Sequence, residues 1–285
     1  MRDRSADTTR ATGRTETRFL DRPSGRVAYD VTGEGPPVVC APGMGDLRSV
    51  YRFVVPGLVD AGYSVATMDL RGHGESDATF SSYDDAATGG DLLALADKLG
   101  EPAVLVGNSM SAGSAVVAAA ESPTSVAGLV LIGPFVRDAP VSAATMLAFR
   151  LALLRPWGRA AWLGYYERQY PGRRPDDLDE HLKRIKKSLR RRGHWAAFAQ
   201  TTRTSHGPAE ARLSDVRAPS LVIMGERDRD FRDPEGEARF VAERLGGRIV
   251  MVPDAGHHPQ AEFPEVVTPA VVSFLFDLEE LSPAA

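Results

Sequence analysis

The sequence predicts an α/β protein built on a largely parallel sheet. Short β-branched runs alternate with helical patterns, the signature of βαβ units. Glycine and proline turns punctuate the runs. The 285 residues, 43% hydrophobic and 25% charged, suffice for one large domain or for a core domain with an inserted lid.

The first strands are expected at 26–31 and 38–41, with Gly33 to Pro37 supplying the turn between them. A helix over 48–61 and a strand over 64–70 follow. After a glycine-rich loop come a helix over 83–99 and a strand over 103–107, with Ser109 where that strand ends. Residues 111–120 are small and apolar, suited to a helix packed closely on a sheet. A strand over 126–132 closes the first half. The rhythm resumes with a strand at 220–224, a helix at 235–245, a strand at 248–252 and a helix at 265–278, so one sheet is expected to run through both halves. Between the halves lies a helical stretch with Trp157, Trp162 and Trp195 and no strand pattern. The expected organisation is a disordered tail at 1–17, a core at 18–134 and 217–285, and a helical lid at 135–216. Within the lid, 181–192 carries Lys183, Arg184, Lys186, Lys187 and Arg190 to Arg192 on a helical repeat of Leu182, Ile185 and Leu189. It reads as a solvated basic face, or alternatively as a lid helix attracting an anionic substrate or an acidic carrier protein.

Composition narrows the class. A formal net charge of -4 gives no overall attraction to nucleic acid or acidic lipid. The single cysteine, Cys40, calls for no oxidising compartment. Residues 1–18 lack the apolar segment of a signal peptide, and no apolar run approaches a membrane span, so a cytoplasmic location is expected. No cysteine–histidine cluster has zinc-ligand spacing, and neither metal nor cofactor is expected. The expected partner is a small-molecule substrate, with no nucleic acid and no membrane, and a homodimer is left open.

The most informative stretch runs from Val104 through Gly107-Asn108-Ser109-Met110-Ser111. A strand, then Gly-x-Ser-x-small, then a helix is the context of a nucleophile elbow, in which serine sits on a strained turn and its neighbours two residues away must be small. Gly107 meets that need and Ser111 is a small variant of the usual second glycine. Serine needs a base, and that base needs a carboxylate to fix its tautomer. His257, preceded by Gly256 after a late strand, is the first choice as base, with adjacent His258 as rival. His73 reads as part of a structural turn, and His181, His194 and His206 as surface or lid residues. Asp228 closes a strand-and-glycine run as the acid. Asp138 is its alternative, while Glu226 and Asp230 read as solvated neighbours. The backbone N–H groups of Met44 and Met110 are expected to form the oxyanion hole, where one lost donor costs about 3–4 kcal/mol. Met146, Trp157, Trp162, Tyr165, Trp195 and Phe198 are expected as pocket walls.

Together, Pro42-Gly43-Met44-Gly45, Asp69-Leu70-Arg71-Gly72-His73-Gly74-Glu75-Ser76, the elbow, Gly225-Glu226-Arg227-Asp228 and Gly256-His257 resemble the α/β-hydrolase superfamily, in its chain order. The resemblance implies an eight-stranded, mostly parallel sheet with helices on both faces and an inserted lid. It also implies a Ser109–Asp228–His257 triad that needs no cofactor. The usual His-Gly of the oxyanion loop is Pro42-Gly43 here, which leaves the backbone donors in place. The implied activity is hydrolysis of a carboxylic ester or lactone of a small to medium apolar substrate through an acyl-enzyme. The Gly-Asn-Ser-Met stretch is also similar to meta-cleavage-product hydrolases, which cut C–C bonds. That makes such a C–C hydrolase the alternative, beside a thioesterase or acyltransferase and a non-catalytic binding relative.

Overall fold

A parallel sheet needs helices on both faces, so its strands must be apolar on both sides. The central runs of this chain meet that requirement. The computed structural model describes residues 16–100, 102–138 and 142–281. Its strands are β1 (Arg18–Arg22), β2 (Gly25–Thr32), β3 (Pro37–Ala41), β4 (Ser64–Met68), β5 (Ala103–Asn108), β6 (Val126–Ile132), β7 (Ser220–Gly225) and β8 (Arg248–Val252). They form one sheet in the order β1-β2-β4-β3-β5-β6-β7-β8. β2 pairs antiparallel with β1 and β4, and every other pairing is parallel.

Alternate strand residues feed two cores. Val39, Leu105, Leu129 and Val222 point to the face covered by α2 (Asp85–Leu99), α3 (Met110–Glu121) and α9 (Pro234–Leu245). Val38, Val104, Val130 and Leu221 point to the face covered by α1 (Val55–Asp60) and α11 (Pro264–Leu281). Between β6 and β7 the chain forms α4 (Ala143–Ala152), α5 (Gly158–Glu167), α6 (Leu178–Arg190), α7 (His194–Thr201) and α8 (Gly207–Arg212). The first four make a cap, whereas α8 lies against α3, with Ala209 in the same core. A short α10 (Pro259–Glu262) follows β8.

Two local expectations differ from the structure. The helix expected over 48–61 is a 3-10 turn at Arg48–Tyr51 followed by α1, because Pro56 has no N–H and is tolerated in a first turn only. β1 falls in a stretch with no strand signal: its sequence, RFLDR, buries Leu20 alone. Residues 1–15 of the expected tail lie outside the described residues, but Thr17 is tied down. Its hydroxyl donates to Glu75 at 3.1 Å and accepts from Arg48 at 2.8 Å.

In α6, Leu178, His181, Ile185 and Leu189 are buried while Lys183, Arg184, Lys186 and Lys187 are exposed, the arrangement of a solvated basic face. Among the described residues, no helix is long and apolar enough to cross a membrane.

Candidate active site

The site begins where β5 runs out. Ser109 takes φ 58° and ψ −124°, a conformation costing a non-glycine residue about 1–3 kcal/mol. Its backbone N–H donates to the Ile132 carbonyl at 2.9 Å. A Cβ on Gly107 would come within 2.3 Å of the Ser111 carbonyl, so only glycine lets strand and helix close. Ser111 does more than stay small: its buried hydroxyl donates to the Pro42 carbonyl at 2.6 Å, joining α3 to the loop after β3. Asn108 donates to the carbonyls of Ile132 (3.0 Å) and His257 (3.2 Å), fixing the elbow against the histidine segment. Sequence reasoning gave Asn108 no role, although it stands inside the elbow motif.

His257 and Asp228 meet as expected. His257 Nδ1 lies 2.7 Å from Asp228 Oδ2, with both side chains buried. His257 Nε2 makes no hydrogen bond in this structure and is free to serve Ser109 or a substrate. Burial works against a charge on His257, but Asp228 and Asp230 outweigh it and push its pKa up to about 9. The rivals are engaged elsewhere. His258 stacks on Tyr166 and Tyr170, its Nε2–H donates to Gln169 Oε1 at 3.2 Å, and burial pushes it down to about 3. Asp138 accepts from the Ser205 hydroxyl and the His206 backbone. His73 accepts the Gly45 N–H at Nε2 (2.9 Å) while Nδ1 faces the Arg71 carbonyl.

That His73 contact holds the loop carrying Met44 from one side, and Trp162 holds it from the other by donating to the Gly45 carbonyl at 3.2 Å. Gly45 has φ +72°, and a Cβ there would sit 2.4 Å from the Trp162 ring. At the same loop, a Cβ on Gly43 would lie 2.8 Å from Ser109 Cβ, which measures how closely the loop abuts the serine. Met44 follows in this loop, and Met110 opens α3, where the first N–H groups have no partner within the helix. Met44 and Met110, the two residues expected to supply oxyanion donors, therefore both adjoin the serine.

Met44, Met110 and Ser109 line a cavity of about 530 Å³ between core and cap. Of the six expected wall residues, Met146, Trp162 and Tyr165 line it. Trp157, Trp195 and Phe198 do not. Trp157 is 55% exposed and donates to the Leu151 carbonyl on the cap surface. Trp195 and Phe198 are consumed in packing: Phe198 lies tilted against Trp162 and edge-on to His73, and Trp195 tilted against Phe198. Phe135, Phe149, Gln169, His206, Arg229 and Asp230 are lining residues that sequence reasoning did not place.

Asp230, expected to be solvated, is not, and His181 and His194, expected as surface or lid residues, lie buried within the lid helices. His181 is buried, with Nε2 2.8 Å from Asp46 Oδ1, and holds Asp46 below the usual carboxylate range although burial opposes it. His194 is buried, and burial pushes it down to about 4. Asp230 is withdrawn from solvent and accepts from Tyr165 and Gln169. Glu262 supports the histidine loop by accepting the N–H groups of Gly256 (2.6 Å) and Gly172 (3.0 Å), and burial pushes it up to about 7. Asp228, Asp230 and His257 offer ligand atoms within 4.8 Å of one another. Asp228 and His257 are already bonded to each other, so this set is organised around the imidazole and not around an ion.

The arrangement can deprotonate a serine hydroxyl, stabilise an oxyanion and return a proton to a leaving group. Comparison with known proteins agrees. The chain is 28% identical to a 2-hydroxy-6-oxononadienedioate/2-hydroxy-6-oxononatrienedioate hydrolase of Klebsiella pneumoniae, covering 91% of this chain and 95% of that one. It is 26% identical to a 2-(acetamidomethylene)succinate hydrolase of Mesorhizobium japonicum, covering 88% and 92%. An esterase from a Rhodococcus species has a TM-score of 0.76 at 26% identity, covering 92% of this chain and 99% of its own. The family model for the alpha/beta hydrolase family matches residues 38–270. That match runs from β3 past β8 and takes in the whole cavity, so the chain belongs to the alpha/beta hydrolase family and is a hydrolase.

Proposed function

We propose that this hydrolase cleaves an acyl bond whose leaving fragment is conjugated to a carboxylate, C–C cleavage of the meta-cleavage-product type first among such reactions. What carries the reading is the substrate chemistry in the names of two relatives matched over nearly their whole length. One substrate has a 6-oxo group on a hydroxydienoate, and the other an acetamido nitrogen on a carbon–carbon double bond beside a carboxylate. In both, the departing fragment is stabilised by conjugation.

A carbon leaving group must gain its proton on carbon, so the reaction needs an acid before it needs a base. An imidazole that keeps its proton to about pH 9 fits that demand. With the substrate bound as its dienolate, His257 gives its proton to the reacting carbon, the enolate oxygen becomes a ketone, and the imidazole becomes neutral. It then takes the Ser109 proton as Oγ attacks the carbonyl, and Asp228 holds the ring and stabilises its charge. Met44 and Met110 N–H groups receive the oxyanion, and the bond to the fragment breaks with its electron pair passing into the conjugated system. His257 returns the serine proton to the enolate so formed, and water deprotonated by the now neutral His257 then releases the acid.

A second reading, hydrolysis of a neutral ester or lactone, is favoured by the charge of the cavity. Among the described lining residues, Asp138 and Asp230 face a single guanidinium, Arg229, a poor match for a dicarboxylate. The deciding experiment compares kcat/KM for a phenyl-substituted 2-hydroxy-6-oxohexadienoate with that for p-nitrophenyl esters, in wild type and Ser109→Ala. The expected result is preference for the dienone, with Ser109→Ala lowering kcat on the order of 10³-fold or more. Preference for the esters would put the second reading in its place. Failure of both, with no fluorophosphonate labelling of Ser109, would overturn the catalytic reading.

A further inference from the structure

The His257 imidazole has carboxylates on both sides. Asp228 Oδ2 lies 2.7 Å from Nδ1 and orients the ring. Asp230 Oδ2 lies 3.6 Å from Nε2, the nitrogen that serves the serine and the leaving group. This second carboxylate is held firmly. Its side chain is 8% exposed, and its Oδ1 accepts from the Tyr165 hydroxyl. Its Oδ2 accepts from Gln169 at 2.7 Å, and its backbone N–H donates to Asp228 Oδ1 at 3.0 Å. Gln169 is fixed in turn by His258. Withdrawing a carboxylate this far from water is costly. An amide or hydroxyl could join cap to core at the same place for less, so stability does not account for the charge.

The leaving atom of an acyl substrate comes within about 3 Å of His257 Nε2 to receive its proton. Asp230 Oδ2 then stands one hydrogen bond from a group on that atom or one to two bonds beyond it. Tyr165 and Gln169 occupy two of the roughly four acceptor positions of the carboxylate, leaving room for a substrate donor. We infer that Asp230 is a specificity-determining residue: it accepts a hydrogen bond from an O–H or N–H of the leaving fragment and turns away fragments that place a carboxylate there. The inference rests on the reading of Ser109, Asp228 and His257 as the triad. A fragment with a donor satisfies the buried acceptor, one without a donor leaves it unpaired, and an anionic one sets like charges together.

The same carboxylate acts on the ring. The charged and titratable groups around His257 are Asp228, Asp230 and neighbouring His258, with Asp46 acting through space. The rings of Phe135 and Phe231 cover the remainder. Among the described residues, Asp230 is the carboxylate within 4 Å of Nε2.

Three acetates test the inference: 2-hydroxyethyl acetate, 2-methoxyethyl acetate and acetoxyacetate, whose hydroxyl, ether and carboxylate oxygens all stand three bonds from the leaving oxygen and offer a donor, no donor and a charge. Wild type is expected to favour the hydroxyl over the methoxy ester by about tenfold in kcat/KM, as one hydrogen bond allows, and to accept the carboxylate ester least. In Asp230→Asn the first ratio falls towards one and the carboxylate ester gains. Unchanged ratios overturn the inference. An NMR titration of the His257 ring needs no substrate: its pKa is expected to fall by about 1 or more in Asp230→Asn, and an unchanged pKa also overturns it. Fluorophosphonate labelling of wild type separates the two failures. No label at Ser109 means the triad reading is wrong, whereas labelling with unchanged ratios and titration means that Asp230 alone was misread. If wild type is labelled but cleaves none of the esters, the titration decides.

Discussion

A fully buried histidine ordinarily sheds its proton, because burial penalises the charged form. His257 keeps its proton to about pH 9 because Asp228 and Asp230 together outweigh that penalty. The sign of the resulting pH dependence differs with the chemistry. An ester needs neutral His257 to take the serine proton, so kcat/KM for a p-nitrophenyl ester is expected to rise with pH and level off only near pH 9. A dienone that must first be protonated needs charged His257, so its kcat/KM holds through neutral pH and falls above about 9. Rate profiles from pH 6 to 10 with both substrates check this, and an ester limb that levels off by pH 7 would refute the raised imidazole.

At the scale of elements, the oxyanion loop is a short turn clamped from two directions, by His73 at the Gly45 N–H and by Trp162 at the Gly45 carbonyl. His73 can accept that N–H only when neutral, and burial lowers its pKa to keep it so. His73→Leu leaves a buried donor unpaired, a loss of about 1–3 kcal/mol. Because the loop carries Met44, whose N–H we propose as an oxyanion donor, the expected loss is in kcat, about tenfold or more, with KM changed less. Steady-state kinetics of His73→Leu and Trp162→Phe check it. A change confined to KM would mean that the loop shapes binding alone.

The same elements show what the sequence could and could not disclose. Ser109, Asp228 and His257 are legible because each follows a strand, and strand ends in such a sheet converge at one edge. The cap is legible as helical but not in its facing. Trp162 serves the cavity and the cap–core interface at once, while Phe198 and Trp195 serve packing alone. Short cap helices carry no periodicity that separates those uses. Asp230 escapes sequence reasoning because a charged residue in a polar run looks solvated, and the partners that withdraw it, Tyr165 and Gln169, lie some sixty residues away in sequence.

For the molecule as a whole, the buried ionisable groups set the pH at which it is most stable. His258 and His194, pushed down to about 3 and about 4, and His73, also lowered, remain neutral when folded but take up protons once unfolded below about pH 6.5. Their contribution is complete above that pH and is lost as pH falls towards their folded values. His257 has the opposite sign. Its raised pKa gives stability that is complete below about 6.5 and is lost as pH rises through about 9. Glu262, raised to about 7, subtracts stability between about 4.5 and 7, because the unfolded chain releases that proton first. Asp85 and Asp230, also raised by burial, act in the same sense as Glu262, whereas Asp46, held low, acts with the histidines. Among the described buried groups, those that favour the folded chain as pH rises from the acid side are thus four against three. A tenfold difference in proton affinity between folded and unfolded chain is worth about 1.4 kcal/mol against a total stability of about 5–15 kcal/mol. Urea denaturation across pH 4 to 10 is therefore expected to give a maximum near pH 6.5 to 7. His258→Gln flattens the acid limb and Glu262→Gln steepens it. The alkaline limb flattens in Asp228→Asn, where the partner that holds the His257 proton is gone. A stability that is level from pH 5 to 9 would mean that these buried groups titrate alike in the folded and unfolded chains.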